Sequence, residues 1–279
     1  MTDSLAKSKT ESQPETSGTI LEAMPEPGIA VVTLNRPAAR NSLSLEVLYG
    51  LRETFTRLGK NSDVRAIVLA ANGPAFCAGH DLKELTGHRQ DDDGGKAFYS
   101  ETMSVCADMM QAIVNCPKPV IASVHAMATA AGCQLVATCD LAVASHSAKF
   151  CTPGVNIGLF CSTPMVALSR NVSRKRAMEM LLLGEIIGAE DAAEYGLVNR
   201  AVPDDQVMDE AMQFARRIAE KSAATVAVGK EAFYRQLEQP LAEAYDYAAA
   251  VMVENMMFQD AQEGIGAFLE KRSPQWQGR

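Results

Sequence analysis

The chain has 279 residues, a net charge of −8, and 47% hydrophobic against 22% charged residues. This proportion supplies a large core, and no apolar run approaches the roughly 20 residues that span a bilayer. Because the chain is acidic and has no extended run of Lys and Arg, it would not neutralise nucleic acid or an anionic membrane. We therefore expect neither nucleic acid nor a membrane as a partner.

Seven cysteines are present, an odd number, without C-x-x-C spacing and mostly in apolar surroundings. This pattern is typical of buried, reduced thiols and not of a zinc site or a disulfide framework. It predicts no metal site and a reducing compartment.

Residues 1–18 are rich in Ser, Thr, Lys and Glu and contain no apolar block, which argues against a secretory signal. Asp3, Glu11 and Glu15 argue against a mitochondrial transit peptide, which is normally poor in acidic residues. The segment predicts a disordered tail and a cytoplasmic protein.

Further along, apolar runs and helical periodicity alternate. Ser44 is a candidate N-cap for a helix, and the glycine-bearing acidic segment 88–96 is predicted to be a solvated loop, with a lid over the site as the alternative. Strands are predicted at 28–34, 64–70, 120–124 and 141–145, and helices at 44–58, at 97–114 and over most of the chain after 173, where 198–203 interrupts them. The order predicts an α/β protein built from stacked turns of sheet and helix.

Two segments combine a β-rich run with small residues and then a helix: 71–85 (ANGPAFCAGHDLKEL) and 125–137 (HAMATAAGCQLVA). At such breaks backbone N–H groups are left without intrachain acceptors, and glycine and alanine allow a ligand to approach the main chain. Two converging N–H groups would stabilise a thioester enolate as an oxyanion hole. Each segment by itself could equally be an ordinary strand-to-helix turn.

Taken together, the two segments resemble the oxyanion segments of the enoyl-CoA hydratase/isomerase (crotonase) family. The resemblance continues through residues 35–43, 150–158 and 263–272 and covers roughly residues 28–274 in family order. It implies a crotonase-type spiral of repeated ββα turns over residues 19–200 and a helical C-terminal trimerisation region over 201–279. We therefore expect a homotrimer or a dimer of trimers.

The resemblance also implies a set of site residues. The two N–H donors would be those of His80 and Ala131, and coenzyme A would enter as part of the substrate, with no permanently bound cofactor. The remaining implied contacts to the coenzyme A ester are Ala38, Arg40, Ala78, Asp81, Leu82 and Lys83, joined by Phe268 and Lys271 from a neighbouring subunit.

The sequence departs from the family pattern where hydration is performed. Family hydratases use two glutamates that hold water and exchange protons with it, and the motif places them at Gln134 and Gly154 here. An amide can orient a water molecule but cannot exchange a proton with it at useful pH, and glycine has no side chain. Both replacements resemble the subgroup called enoyl-CoA hydratase domain-containing proteins.

Other side chains approach the same segments. His80 has an imidazole that could act as acid or base, although local packing is the simpler interpretation. Asp81 is interpreted as a loop anchor or cap as well as a contact to the pantetheine. Asn156, Cys161 and Ser162 are weaker candidates, because a nucleophile needs an adjacent base.

The sequence therefore predicts an acyl-CoA enzyme, nominally an enoyl-CoA hydratase, in which Gln134 stands where the first glutamate would be. Alternatives are a thioester hydrolase or isomerase with another base, and a non-catalytic acyl-CoA-binding protein. The missing G-x-G-x-x-G pattern argues against a redox enzyme.

Overall fold

The computed structural model describes residues 18–279. Residues 1–17, which make up nearly all of the predicted tail, lie outside the described residues. The strands are β1 (Ile20–Glu26), β2 (Ile29–Leu34), β3 (Ala66–Ala71), β4 (Ala75–Cys77), β5 (Val120–Val124), β6 (Met127–Thr129), β7 (Leu141–Ser145), β8 (Lys149–Cys151), β9 (Ile187–Gly188) and β10 (Arg200–Val202).

Helices follow the strands and dominate the second half of the chain. They are α1 (Leu45–Lys60), α2 (Leu82–Gly87), α3 (Lys96–Val114), α4 (Ala131–Thr138), α5 (Pro164–Asn171), α6 (Arg174–Leu183), α7 (Ala189–Tyr195), α8 (Val207–Ala219), α9 (Ala223–Gln236), α10 (Leu241–Met256) and α11 (Gln259–Glu270).

Two sheets form the spiral. The larger has the order β1-β2-β3-β5-β7-β10, and the smaller has the order β4-β6-β8-β9. Successive turns place one strand in each sheet and then a helix: β3-β4 leads to α2 and α3, β5-β6 to α4, and β7-β8 to α5. This is the predicted α/β crotonase-type spiral of ββα turns, with a helical C-terminal region.

The central strands explain why the fold is specified so strongly. β3 and β5 pair in parallel with Ile67 opposite Val120, and both strands are buried almost throughout. Parallel strands covered on both faces require continuous apolar runs, and these two segments supply them. The predicted helix after Ser44 is confirmed, since the Ser44 side chain accepts a hydrogen bond from the N–H of Val47.

The C-terminal region has two parts. α8 covers one face of the large sheet with Val207, Ala211, Met212 and Ala215, whereas α9, α10 and α11 pack chiefly on one another. Large apolar side chains of α10 and α11 remain exposed in this single chain, and Phe268 has 81% of its surface accessible. The division of the chain at residue 200 stays a prediction.

All seven cysteines are buried and free, as predicted. Burial raises the pKa of the Cys77 and Cys106 thiols to about 12.

Across residues 18–279, no helix has both the length and the apolar character to cross a bilayer. Within the same range no group of three or more His, Cys, Asp or Glu side chains is arranged to hold a metal ion.

Candidate active site

The two predicted site segments meet at the ends of β4 and β6, which are neighbours in the small sheet. A Cβ built on Gly79 would lie 3.0 Å from the Cβ of Ala130 and 3.3 Å from the backbone N of Ala131. Gly79 has a φ of +83°, a conformation that costs glycine little. Glycine therefore allows the loop of His80 to touch the start of α4.

The backbone N–H of His80 has no acceptor among the described residues, because Leu43 forms its backbone hydrogen bonds with the residues before and after His80. Leu43 donates its N–H to the carbonyl of Gly79 at 2.8 Å and accepts the N–H of Asp81 at 3.1 Å. Among the described residues, none accepts a hydrogen bond from the His80 N–H. These two hydrogen bonds to Leu43 hold the backbone on either side of His80 and so fix the direction of its N–H.

The second unpaired donor is at the start of α4. Ala131 is the first residue of the helix, so its N–H has no acceptor within the helix, and no acceptor for it is found elsewhere in residues 18–279. The partial positive charge of a helix N-terminus adds to the field at this point. With Gly79 in contact with Ala130, two free N–H groups stand on adjoining loops.

Ala130 holds the helix start in an unusual conformation, with φ 51° and ψ −119°. Residues other than glycine rarely adopt it, and such conformations persist where the surroundings fix them. Here the N–H of Ala130 donates to the carbonyl of Cys151 at 2.9 Å, and its own carbonyl accepts the N–H of Gln134. Sequence reasoning missed this strain because alanine gives no signal for it.

Gln134 lies one turn into α4 and is 4% exposed. Its side-chain oxygen is buried without a hydrogen-bond partner among the described residues. A buried, unpaired amide oxygen costs free energy unless a ligand or water pairs with it. Gln134 is therefore equipped to bind a polar group but not to exchange a proton.

The His80 ring nitrogens are also buried, and within residues 18–279 neither meets ordinary hydrogen-bond limits, the nearest interaction being with the backbone of Leu43. Burial lowers the pKa of His80 to about 4, because the imidazolium loses its hydration. The ring is therefore neutral at pH 7. It can donate a hydrogen bond from one ring nitrogen and accept one at the other, but it is a weaker base than a free imidazole.

Gly154 stands in a short 3-10 turn, Pro153–Ile157, directly after β8. A Cβ at this position would lie 2.7 Å from the carbonyl oxygen of Leu159 and 2.9 Å from the Cys161 sulfur. The space that a glutamate side chain would need is thus closed by the following loop. A glutamate cannot be restored here without moving residues 159–161.

The other predicted residues are distributed around these two loops. Ala38, Arg40, Leu82 and Lys83 are exposed, Ala78 is half-buried, and the N–H of Ala78 donates to the carbonyl of Arg40 at 3.0 Å. Both carboxylate oxygens of Asp81 are used within the protein, as the N-cap of α2 and in contacts to Arg36 and Ser42.

The remaining nominated residues lie on exposed segments or away from both loops. Phe268 and Lys271 belong to the end of α11, which packs chiefly on α9 and α10. Asn156 and Ser162 are exposed. Burial raises the pKa of Cys161, so its thiol is a poor nucleophile at neutral pH.

The acidic loop is more structured than its composition suggests. Asp93 accepts the N–H groups of Gly95 and Ala97 at 2.9 and 2.7 Å. His88 stacks on Phe98 with ring centroids 3.6 Å apart. These contacts join the loop to the first turn of α3.

Comparison with known proteins decides the family. The family model described as enoyl-CoA hydratase/isomerase matches residues 25–279. The chain belongs to the enoyl-CoA hydratase/isomerase family. The subgroup prediction is confirmed as well, because the enoyl-CoA hydratase domain-containing protein 3, mitochondrial, of Rattus norvegicus is 46% identical over 263 residues. The alignment covers 94% of this chain and 86% of the rat protein.

Solved structures of this family agree with the fold. A crystal structure of an enoyl-CoA hydratase of Mycobacterium smegmatis superposes with a TM-score of 0.88 at 50% identity, covering 93% of this chain and 99% of that one. The crystal structure of the human enoyl coenzyme A hydratase domain-containing protein 3 gives a TM-score of 0.88 at 46% identity, covering 93% and 100%.

The predicted cytoplasmic location is wrong. The family relatives from rat, mouse and human carry the word mitochondrial in their names, at 46 to 47% identity to this chain. The prediction relied on three acidic residues near the amino terminus, and so few charges are a weak criterion against an organelle.

Proposed function

We propose that this protein binds acyl-CoA thioesters and polarises their carbonyl oxygen with the N–H groups of His80 and Ala131. The observation that carries the proposal is the pair of unpaired N–H groups on touching loops, one of them at a helix N-terminus. Preorganised donors of this kind favour the negative oxygen of an enolate or a tetrahedral intermediate. The family's names, which refer to enoyl-CoA, support the same substrate class.

The reaction at this site would be nominally enoyl-CoA hydration, with a thioester enolate as the stabilised species. Gln134 would hold water or a polar acyl group with its unpaired oxygen, and the neutral His80 ring would be the proton acceptor. A general acid or base typically contributes about 10² to 10⁴-fold to a rate. Without the two family glutamates, we expect hydration to be slow, or isomerisation or thioester hydrolysis to replace it.

Coenzyme A would belong to the substrate. Ala38, Arg40 and Ala78 would follow its path, with Arg40 facing phosphate, and Leu82 and Lys83 would line the pantetheine. Phe268 and Lys271 would reach the nucleotide of a neighbouring subunit in a homotrimer or a dimer of trimers. The packing of α11 on α9 and α10 and the exposure of Phe268 support a role toward a second subunit.

The proposed oxyanion hole can be tested with a bound thioester that does not react. The carbonyl stretch of butyryl-CoA labelled with ¹³C at the thioester should move to lower frequency on binding, because hydrogen bonds weaken the C=O bond. Replacement of Ala131 by lactic acid converts its amide to an ester and removes only the N–H; this should reduce the shift. The same replacement at Ala137, near the C-terminal end of α4, is the matched control and should leave the shift unchanged.

A bound thioester whose carbonyl stretch equals that in solution would contradict the proposal. So would an Ala131 ester that keeps the full shift.

The second candidate is a non-catalytic acyl-CoA-binding protein, favoured by the closed space at Gly154 and the low pKa of His80. A panel of enoyl-, hydroxyacyl- and saturated acyl-CoA thioesters separates the two functions. Turnover of any member above about 1 s⁻¹, within the ordinary range of enzymes, would establish catalysis. Tight binding in calorimetry without turnover of any member would favour the binding protein.

A further inference from the structure

The loop that carries His80 is joined along its length to the segment 36–43. Backbone hydrogen bonds link Ala78 to Arg40, Leu43 to Gly79, and Asp81 to Leu43, at 3.0, 2.8 and 3.1 Å. The family resemblance implies that Ala38 and Arg40 of this segment lie along the coenzyme A path. The two loops therefore form one unit with the proposed hole at one end and the proposed nucleotide contacts at the other.

Hydrogen bonds among three side chains also connect the two loops. Arg36 donates from Nη1 to the carbonyl of Ser42 at 2.7 Å and from Nη2 to Oδ2 of Asp81 at 3.2 Å. The Ser42 hydroxyl donates to the same Asp81 oxygen at 3.0 Å. The other oxygen, Oδ1, accepts the N–H groups of Lys83 and Glu84. Asp81 thus ties the residue after His80 to both Arg36 and the start of α2.

The ion pair between Arg36 and Asp81 is partly shielded from solvent. The Arg36 and Asp81 side chains are 26% and 14% exposed. Burial alone would raise the pKa of Asp81, but the hydrogen bonds from Ser42, from the Glu84 backbone and from Arg36 lower it below its usual value. The carboxylate therefore stays charged and paired at neutral pH.

The segment 36–43 is held in a strained conformation. Arg40 and Asn41 have φ values of 51° and 53°. The buried Asn41 side chain accepts the N–H of Arg36 and donates to the carbonyls of Asn72 and Ala75, each at 2.8 Å. Such strain persists only where many contacts determine it, and it tends to occur at ligand sites. A phosphate bound at Arg40 would act directly on this segment.

We propose that Arg36, Ser42 and Asp81 are positioning residues that couple binding of the coenzyme A end to the orientation of the His80 N–H. The inference rests on the proposed function, and it assigns to Asp81 a role within the protein in place of a contact to pantetheine. Binding energy from a non-reacting part of a substrate can be used at the reacting centre. The hydrogen-bonded unit provides the physical connection for such an effect.

The test compares two ¹³C-labelled thioesters by their carbonyl shift when bound. One is butyryl-CoA; the other is the butyryl thioester of N-acetylcysteamine, which lacks the nucleotide. In the wild type, butyryl-CoA should show the larger shift. In Arg36→Met, the shift with butyryl-CoA should fall to the value of the truncated thioester, and Ser42→Ala should show a smaller loss in the same direction.

Arg52→Met is the matched control, because it removes a half-buried arginine of α1 that pairs with Asp108 at 3.7 Å. It should keep the wild-type difference between the two thioesters. If Arg36→Met does not fold, Ser42→Ala and Asp81→Asn decide the question.

The outcomes separate the two proposals. If the wild type shifts the carbonyl frequency of butyryl-CoA and the folded variants show the same shift, the proposed coupling is wrong but the proposed oxyanion hole is supported. Equal shifts for both thioesters in the wild type also overturn the coupling. If the wild type binds butyryl-CoA without any shift, the proposed function fails and the coupling fails with it.

Discussion

At the scale of single residues, His80 combines two roles that depend on different atoms. Its backbone N–H is free because Leu43 forms hydrogen bonds with the residues on either side, Gly79 and Asp81. Its ring is neutral because burial lowers the pKa of His80 to about 4. The ring is thus able to lie beside a thioester without carrying a charge. A positive ring there would stabilise an enolate, but the folded protein does not supply one at pH 7.

The low pKa of His80 predicts a pH dependence of stability. Between pH 6.5 and 4 the unfolded chain takes up a proton that the folded chain does not, so the free energy of unfolding falls as the pH falls. The contribution reaches at most about 3 kcal/mol, from a difference of about 2.5 pKa units. Urea unfolding of the wild type and of His80→Gln from pH 7 to 4.5 measures it.

The His80→Gln curve should fall less steeply with acid than that of the wild type. Parallel curves would mean that the ring is protonated as easily in the folded state as in the unfolded state.

At the scale of elements, the start of α4 is under strain. Ala130 has φ 51° and ψ −119°, a conformation that costs of order 1–3 kcal/mol for residues other than glycine. Ala130→Gly should therefore raise the free energy of unfolding by about 1 kcal/mol, after the entropy that glycine adds to the unfolded chain is subtracted. Chemical denaturation gives this difference.

Ala137→Gly, near the C-terminal end of the same helix, is the control and should have the opposite sign, because glycine is a poorer helix former than alanine by about 1 kcal/mol and the change removes a buried methyl group. A loss of stability in both variants would mean that the conformation at residue 130 is not strained.

Elements with strong local signals were predictable. Residues 120–124 form β5 as predicted, and Ser44 caps α1, because apolar runs and caps depend on near neighbours in the sequence. The small sheet was missed, since β4, β6 and β8 have three residues each and gain their stability from pairing with distant segments.

Some features of the candidate site were likewise predictable from the sequence, and others were not. The adjoining positions of Gly79 and Ala131 follow from motif resemblance, whereas the Arg36–Asp81 pair joins residues 45 positions apart. Neither residue signals the other. The closure of the space at Gly154 depends on the path of Leu159 and Cys161, which no local pattern determines.

At the scale of the whole molecule, the single chain leaves an apolar surface on its last helices. Met252, Val253, Met256, Met257, Phe268 and Leu269 are all 57–81% exposed. The methionines among them therefore do not belong to the core of this chain. Exposed apolar side chains concentrated on a few helices often mark contact sites.

We therefore expect self-association through α10. The double variant Val253→Glu with Met257→Glu should place charge on this surface and shift the molecule toward the monomer in sedimentation velocity. Lys60→Glu, on the exposed face of α1, should leave the wild-type assembly unchanged. A wild type that sediments as a monomer at micromolar concentration would contradict the expectation.

The buried cysteines have a practical consequence. Alkylating reagents attack the thiolate, so thiols that are covered and have raised pKa values react mainly after the chain opens. Each molecule that unfolds during a short pulse of iodoacetamide should gain seven adducts, whereas one that stays folded should gain none. Intact mass spectra would then show two separate populations, and the protein would report its own unfolding rate without any introduced probe.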